Sequence, residues 1–149
     1  MNDKDQLRML FTATLSQMSR VYKTAADRVA SSYGLSQATA WAALTIGRLG
    51  NRVRPNELAE ALGLDPSSIV RTVDQLIDAG FVERSEDPQD RRAKILRLTA
   101  KGEKTVHDVE MALVDYRGGL LKSVPVRDLK VCLRVLTSLK ESIKEREPA

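Results

Sequence analysis

The 149-residue chain has few of the residues that build disulfides, metal sites or catalytic centres. It contains one cysteine, Cys132, which excludes an intrachain disulfide, and one histidine, His107, so a dedicated zinc site is not expected. A nucleophile motif, a glycine-rich phosphate loop and carboxylates at catalytic spacing are also missing from the sequence. The chain is therefore predicted to be neither an enzyme nor a cofactor-binding protein.

Long apolar runs are absent as well. The longest candidate, Ala40–Gly47, is far shorter than the roughly 20 residues that span a bilayer, so no membrane partner is expected. The first six residues lack the basic and apolar regions of a signal peptide, which predicts a cytoplasmic protein. With 42% hydrophobic and 30% charged residues, the composition is that of a globular domain.

The charge balance is mildly basic and unevenly distributed. The net charge is +4 and the isoelectric point about 9.4, which is compatible with a nucleic-acid partner. Residues 1–50 hold +3 of this excess, whereas residues 51–102 carry nine basic and nine acidic side chains. A nucleic-acid-binding element in this middle third must therefore place its cations and its carboxylates on different faces.

Hydrophobic periodicity predicts six helices, several of them starting at a proline or ending at a glycine. Their approximate ranges are 4–32, 37–49 with Ser36 as N-cap, 55–62, 66–79 with Asp65 as N-cap, 100–118 after a Thr99 cap, and 125–144. Between the fourth and fifth helices, Phe81–Arg84 and Ala93–Leu98 alternate like strands, and residues 85–92 form a polar loop. This pattern predicts a β-hairpin with a long charged tip.

The order of elements indicates a mainly α fold with a small β-wing. Residues 35–102 are interpreted as a winged helix-turn-helix DNA-binding domain, and residues 1–34 and 103–149 as long helices flanking it. The apolar stripes of these terminal helices have little to bury against in so small a domain. Pairing with a second copy solves this, so the sequence predicts an intertwined homodimer whose terminal helices form the interface.

The second helix of a helix-turn-helix lies in the major groove, where side chains must donate or accept hydrogen bonds. The candidate DNA-contacting residues of the 66–79 helix are Ser67, Ser68, Arg71, Thr72 and Gln75. Arg71 can take a guanine edge and Gln75 an adenine edge, while the two serines suit phosphate at the helix N-terminus. The acidic residues at positions 74 and 78 are expected to lie off this face. A polar helix face is also common as a merely solvated one, and this alternative stays open.

The hairpin tip is the second candidate contact. Arg91 and Arg92 suit the minor groove, where narrowing at A·T pairs deepens the negative potential. Asp90 is expected to orient one of these arginines. Two arginines in a turn are also common as simple surface charge.

Four stretches of the chain together resemble the MarR family of bacterial transcription regulators. They are Leu58-Ala-Glu-Ala-Leu-Gly63, Ser68-Ile-Val-Arg-Thr-Val-Asp-Gln-Leu76, Ala79-Gly-Phe-Val-Glu-Arg84, and Asp87-Pro-Gln-Asp-Arg-Arg-Ala-Lys94 continuing to Leu98-Thr-Ala-Lys-Gly102. The second and fourth particularly resemble the SlyA-type branch. The resemblance implies a homodimer with two winged lobes on a pseudo-palindromic operator. It also implies that Arg92 enters the minor groove braced by Asp90, and that Arg71 reads bases.

Family members commonly lose DNA affinity when a small phenolic or aromatic carboxylate binds between the dimerisation helices and the lobe. The resemblance places Arg20, Tyr22, Ser36 and Trp41 at the matching positions. A guanidinium suits a carboxylate and the two rings suit an aromatic body, although Tyr22 and Trp41 also fit plain core positions and Arg20 an ion pair.

The resulting hypothesis is a homodimeric repressor released from its operator by a small aromatic ligand. The alternative is a winged-helix adaptor that binds a partner protein and has no ligand response. Cys132 lies in the apolar stripe of the last helix and is expected to be a buried, inert thiol. His107, without a second histidine, is expected to be solvated or hydrogen-bonded.

Overall fold

The computed structural model describes residues 2–146, which contain six helices and one two-stranded hairpin. The elements are α1 (Asp3–Ser31), α2 (Gln37–Arg48), α3 (Pro55–Leu62), α4 (Pro66–Asp78), β1 (Val82–Asp87), β2 (Asp90–Leu98), α5 (Ala100–Leu120) and α6 (Val126–Lys144). The predicted fold class, mainly α with a small β-wing, is confirmed. Over residues 2–146, no helix has the length and apolar character needed to cross a membrane.

Helix boundaries follow local capping chemistry. The Ser36 hydroxyl accepts a hydrogen bond from the backbone N–H of Thr39, and the Thr99 hydroxyl accepts one from Gly102, as the sequence predicts. Asp65 occupies the N-cap of α4, but its side chain makes no capping hydrogen bond. Gly63 ends α3 with a φ of 66°, a left-handed conformation that favours glycine.

The wing is longer and its tip shorter than predicted. The antiparallel register runs from Val82 opposite Leu98 to Glu86 opposite Lys94, then becomes irregular at Asp87 opposite Asp90. The turn therefore contains only residues 88 and 89, and the expectation of a long charged loop over residues 85–92 is wrong. The physical reason is the Asp87 carboxylate, which accepts the backbone N–H of Gln89 at 3.0 Å and closes the turn tightly.

The chain divides after Leu113 into two compact units. In the first unit, α2, α3, α4 and the wing enclose one hydrophobic core, whose largest buried side chains are Leu44, Ile46, Leu58, Ile69, Leu76 and Leu96. An isolated bridge between Val53 and Leu96 joins the α2–α3 connection to β2. Ala26 of α1 and Val109 of α5 also belong to this core. Helix α4, the candidate recognition helix, and the wing therefore share one hydrophobic core.

Helices α1 and α6 keep many large apolar side chains exposed in the single chain, and α5 also exposes Met111, Val114 and Leu120. Along α1 these are Leu7, Met9, Leu10, Phe11, Leu15, Met18 and Val21. In α6 no residue is buried, and Val126, Val131, Leu133 and Ile143 are exposed. Exposed apolar stripes of this extent are typical of surfaces that bind another protein, a ligand or a membrane.

The two reactive side chains that the sequence singles out are both exposed. Cys132 is exposed, so the expectation of a buried thiol is wrong for the single chain. The reason is that no residue of α6 is buried by the described part of the chain. His107 is exposed on α5, in agreement with a solvated histidine.

Candidate nucleic-acid interface and ligand cavity

Helix α4 has one buried face and one polar face. Ile69, Val73 and Leu76 are buried at 1%, 2% and 0% exposure, which fixes the helix against the core. The opposite face is exposed and holds Ser67, Ser68, Arg71 and Gln75. The fifth predicted contact, Thr72, is half-buried and lines a cavity on the flank of α4. Four of the five candidates therefore share the exposed face, and Thr72 lies at its edge.

The two carboxylates of α4 behave differently from each other. Arg84 of β1 donates a hydrogen bond to Asp74 at 2.9 Å, so the charge of this carboxylate is balanced by an arginine of the wing. Asp78 has no such partner within residues 2–146 and lies seven residues after Arg71. Seven residues are about two helical turns, which returns to the same face about 10 Å further along the axis. The expectation that Asp78 lies off the Arg71 face is therefore wrong.

The arginines of residues 35–102 divide into two groups. Four are bonded to carboxylates: Arg48 to Glu110, Arg52 and Arg54 to Asp87, and Arg84 to Asp74. The other four have no carboxylate partner within residues 2–146: Arg71, Arg91, Arg92 and Arg97. Arg71, Arg91 and Arg92 are exposed, whereas Arg97 is half-buried. The three arginines predicted to contact DNA are thus the exposed ones whose charge is not compensated.

The structure places Asp90, Arg91 and Arg92 at the start of β2, beside the tip. The Asp90 carboxylate accepts a hydrogen bond from the backbone N–H of Arg92 at 3.0 Å. Asp90 therefore orients the backbone at Arg92 and leaves the guanidinium unbound within the described residues. The bracing that the resemblance implies acts through the main chain in this structure.

Sequence reasoning missed Asp87, which anchors the wing. Its side chain is 5% exposed and binds Arg54 at 2.7 Å and Arg52 at 3.3 Å, both from the α2–α3 connection. The backbone N–H of Gln89, followed by the Arg54 guanidinium, lowers the pKa of the Asp87 carboxyl, and the bond to Asp87 raises the pKa of Arg54. The Asp-Pro-Gln sequence is a signal for an Asx turn and could have identified the residue.

The cavity beside α4 has a volume of about 590 Å³ and is lined by residues of α1, α2, α3 and α4. Tyr22 and Trp41 line it, as the resemblance implies. Arg20 and Ser36 are not among its lining residues: Arg20 donates to the Ser16 hydroxyl at 2.8 Å, and Ser36 caps α2. The structure therefore brings together two of the four predicted ligand-binding residues.

The cavity combines aromatic surface with positive charge. The Trp41 indole N–H donates to Asp27 at 2.7 Å, so this N–H is already used and the ring contributes its apolar surface to the cavity. The basic lining residues are Lys23 and Arg48, which the sequence pattern does not single out. No carboxylate is among the described lining residues. Such a cavity suits a planar apolar body that carries an anionic group. In the described residues, no cluster of three potential metal ligands exists.

Comparisons with known proteins agree on the type of fold. A family model described as the MarR family matches residues 33–93. The crystal structure of the transcriptional regulator PA3341 is similar at 30% identity with a TM-score of 0.85, covering 91% of this chain and 99% of that one. CouR from Rhodococcus jostii RHA1, solved bound to p-coumaroyl-CoA, is 26% identical with a TM-score of 0.77, covering 85% and 88%. A structure of MarR is 25% identical with a TM-score of 0.69, covering 91% and 98%.

Proposed function

The chain belongs to the MarR family of transcription regulators, and we propose that it is a homodimeric repressor of a pseudo-palindromic operator, released by a small aromatic ligand. The Val70–Leu76 and Asp90–Lys94 runs support a place in its SlyA-type branch. The proposal has three parts, which are DNA contact, dimerisation and ligand response.

The DNA contact rests on the uncompensated arginines. Arg71 on α4 and Arg91 and Arg92 on the wing are exposed and have no carboxylate partner within residues 2–146, while other arginines nearby are paired. We propose that Arg71 reads a base in the major groove, assisted by Ser67, Ser68, Thr72 and Gln75. Arg91 and Arg92 then enter the minor groove, with Asp90 orienting the main chain.

Dimerisation is supported by the apolar stripes of α1 and α6. Large side chains there are exposed in the single chain, for example Leu7 at 67% and Leu133 at 63%. A symmetric interface formed by the apolar faces of the helices in residues 1–34 and 103–149 covers these stripes and presents two lobes to one face of a duplex. In this dimer the recognition helices lie about 34 Å apart, which is one turn of DNA. Sedimentation equilibrium is expected to give twice the chain mass of 16.5 kDa.

A ligand response is supported by the position of the cavity. Ile69 and Thr72 of α4 line it together with Tyr22 of α1 and Trp41 of α2, so an occupant contacts the recognition helix directly. CouR, of similar fold, was solved with p-coumaroyl-CoA bound. Trp41 is the single tryptophan of the chain, so tryptophan fluorescence comes from a residue that lines the cavity. Titration with a panel of aromatic carboxylates is expected to change this emission, and a flat response across the panel would count against the ligand site.

The DNA-binding part is tested by measuring affinity for a duplex that the protein selects from a random pool. The triple variant Arg71→Ala, Arg91→Ala, Arg92→Ala is expected to lose specific binding. The charge-matched control is the triple variant Lys104→Ala, Lys122→Ala, Arg127→Ala. These three residues are exposed and lie outside the winged lobe of residues 35–102. The control is expected to bind like the wild type. No measurable binding of the wild type at low salt would refute the regulator and support the adaptor.

A further inference from the structure

Arg48 stands between the ligand cavity and helix α5. It is the last residue of α2, lines the cavity, and donates through Nε to the Glu110 carboxylate of α5 at 2.6 Å. The two side chains are 46% and 27% exposed, so both remain accessible to small solutes. The bond joins residues 62 positions apart and is an ionic tie between α2 and α5.

The guanidinium has capacity for a second anion. Arginine carries five N–H donors in a planar fork, and the bond to Glu110 uses the Nε edge. A carboxylate that enters the cavity meets Arg48 and Lys23 and no carboxylate of the described lining. It contacts the free edge of the guanidinium, and the two carboxylates then compete for the same positive charge because two like charges held at one cation repel each other.

The shape of the lining selects the rest of the ligand. Because the Trp41 indole N–H is bonded to Asp27, the ring offers an apolar face. The lining near the recognition helix, formed by Leu62 and Ile69, is also apolar. A planar aromatic body is thus held by these groups while its anionic group is directed to the basic residues.

We propose that Arg48 exchanges its ion-pair partner. An arylcarboxylate in the cavity binds the Arg48 guanidinium in place of Glu110, which breaks the ion pair between α2 and α5. This inference rests on the proposed ligand response and specifies its ligand class and its coupling. Since coupling between two interactions is reciprocal, weakening the Glu110 bond must strengthen ligand binding. Glu110 therefore acts as an intramolecular competitor of the ligand.

The test compares two probes of matched shape, 2-naphthoate and its neutral amide 2-naphthamide, by isothermal titration calorimetry on the full chain. Wild type is expected to bind naphthoate about tenfold more tightly than naphthamide. Arg48→Gln removes most of this preference, because it lowers naphthoate affinity more than naphthamide affinity. Glu110→Gln raises naphthoate affinity severalfold, and the double variant behaves like Arg48→Gln.

A matched control is Asp108→Asn, which removes another carboxylate of α5. Asp108 pairs with Lys104 at 3.2 Å, and neither residue lines the cavity. This variant is expected to leave both affinities unchanged. If Glu110→Gln has no effect on naphthoate affinity, the partner exchange is overturned, while the ligand site stands because both probes still bind. If neither probe binds the folded wild type, the arylcarboxylate site and the partner exchange are both refuted, and the DNA contacts, measured separately, are untouched.

Discussion

Replacing Arg92 by alanine tests the wing contact with little disturbance of the fold. Arg92 is exposed and its guanidinium has no carboxylate partner within residues 2–146, so its removal breaks no ion pair. The backbone bond from its N–H to Asp90 does not depend on the side chain and is kept. We therefore expect the melting temperature to stay within about 3 °C of the wild type.

The effect on DNA binding follows from the number of charges removed. A homodimer presents two copies of Arg92, so the variant releases two fewer counterions on binding. Each neutralised phosphate contributes about 0.9 to the slope of log affinity against log salt concentration, so the loss of two contacts makes this slope shallower by about 1.8. Between roughly 50 and 200 mM salt, the affinity advantage of the wild type over the variant shrinks about tenfold.

Fluorescence anisotropy at several salt concentrations on the selected duplex measures both slopes. Lys104→Ala is the control, because Lys104 is 81% exposed and lies on α5, away from the wing. The control is expected to reproduce the wild-type slope. Parallel slopes for wild type and Arg92→Ala would refute the wing contact and with it the argument from uncompensated arginines.

Three further changes are informative. Arg71→Ala is expected to lose about 1–3 kcal/mol of discrimination at one base per half-site, measured with substituted duplexes, and an unchanged base profile would exclude base reading. Gly102→Ala makes a Cβ clash with the Phe81 carbonyl oxygen, and we expect it to lower the free energy of unfolding by about 1–3 kcal/mol, measured by thermal unfolding. Gly118→Ala is the control, because Gly118 has open space around it, and it is expected to leave the free energy of unfolding unreduced. Asp87→Asn removes a carboxylate whose folded pKa is lowered, so the stability lost is constant above about pH 5 and disappears as the pH falls below about 4. In urea unfolding, a stability difference between wild type and variant that is the same at about pH 3 and about pH 7 contradicts that assignment.

Local signals identify most of the fold. Pro55 and Pro66 begin α3 and α4, and Ser36 and Thr99 cap the helices that follow them, because these residue types fix the backbone within one turn. The predicted wing tip is too long because its turn depends on Asp87. That carboxylate is held by arginines more than 30 positions earlier, and a strand pattern does not contain this information.

The candidate site is only partly predictable for the same reason. Arg71, Arg91 and Arg92 follow from sequence spacing, but their lack of carboxylate partners is a tertiary property. The resemblance assigns the cavity cation to Arg20, whereas the structure places Arg48 there. A basic residue at the end of a helix is normally a solvated cap, and only the fold reveals its bond to Glu110.

The central claim is that the uncompensated arginines of two lobes contact one duplex at a fixed spacing. Selection from a random duplex pool, followed by sequencing, tests this claim whatever the operator sequence is. The account predicts enrichment of a pseudo-palindrome whose half-sites are centred about 10 base pairs apart, or about 34 Å. Enrichment of an isolated half-site, or no enrichment over the starting pool, would contradict it.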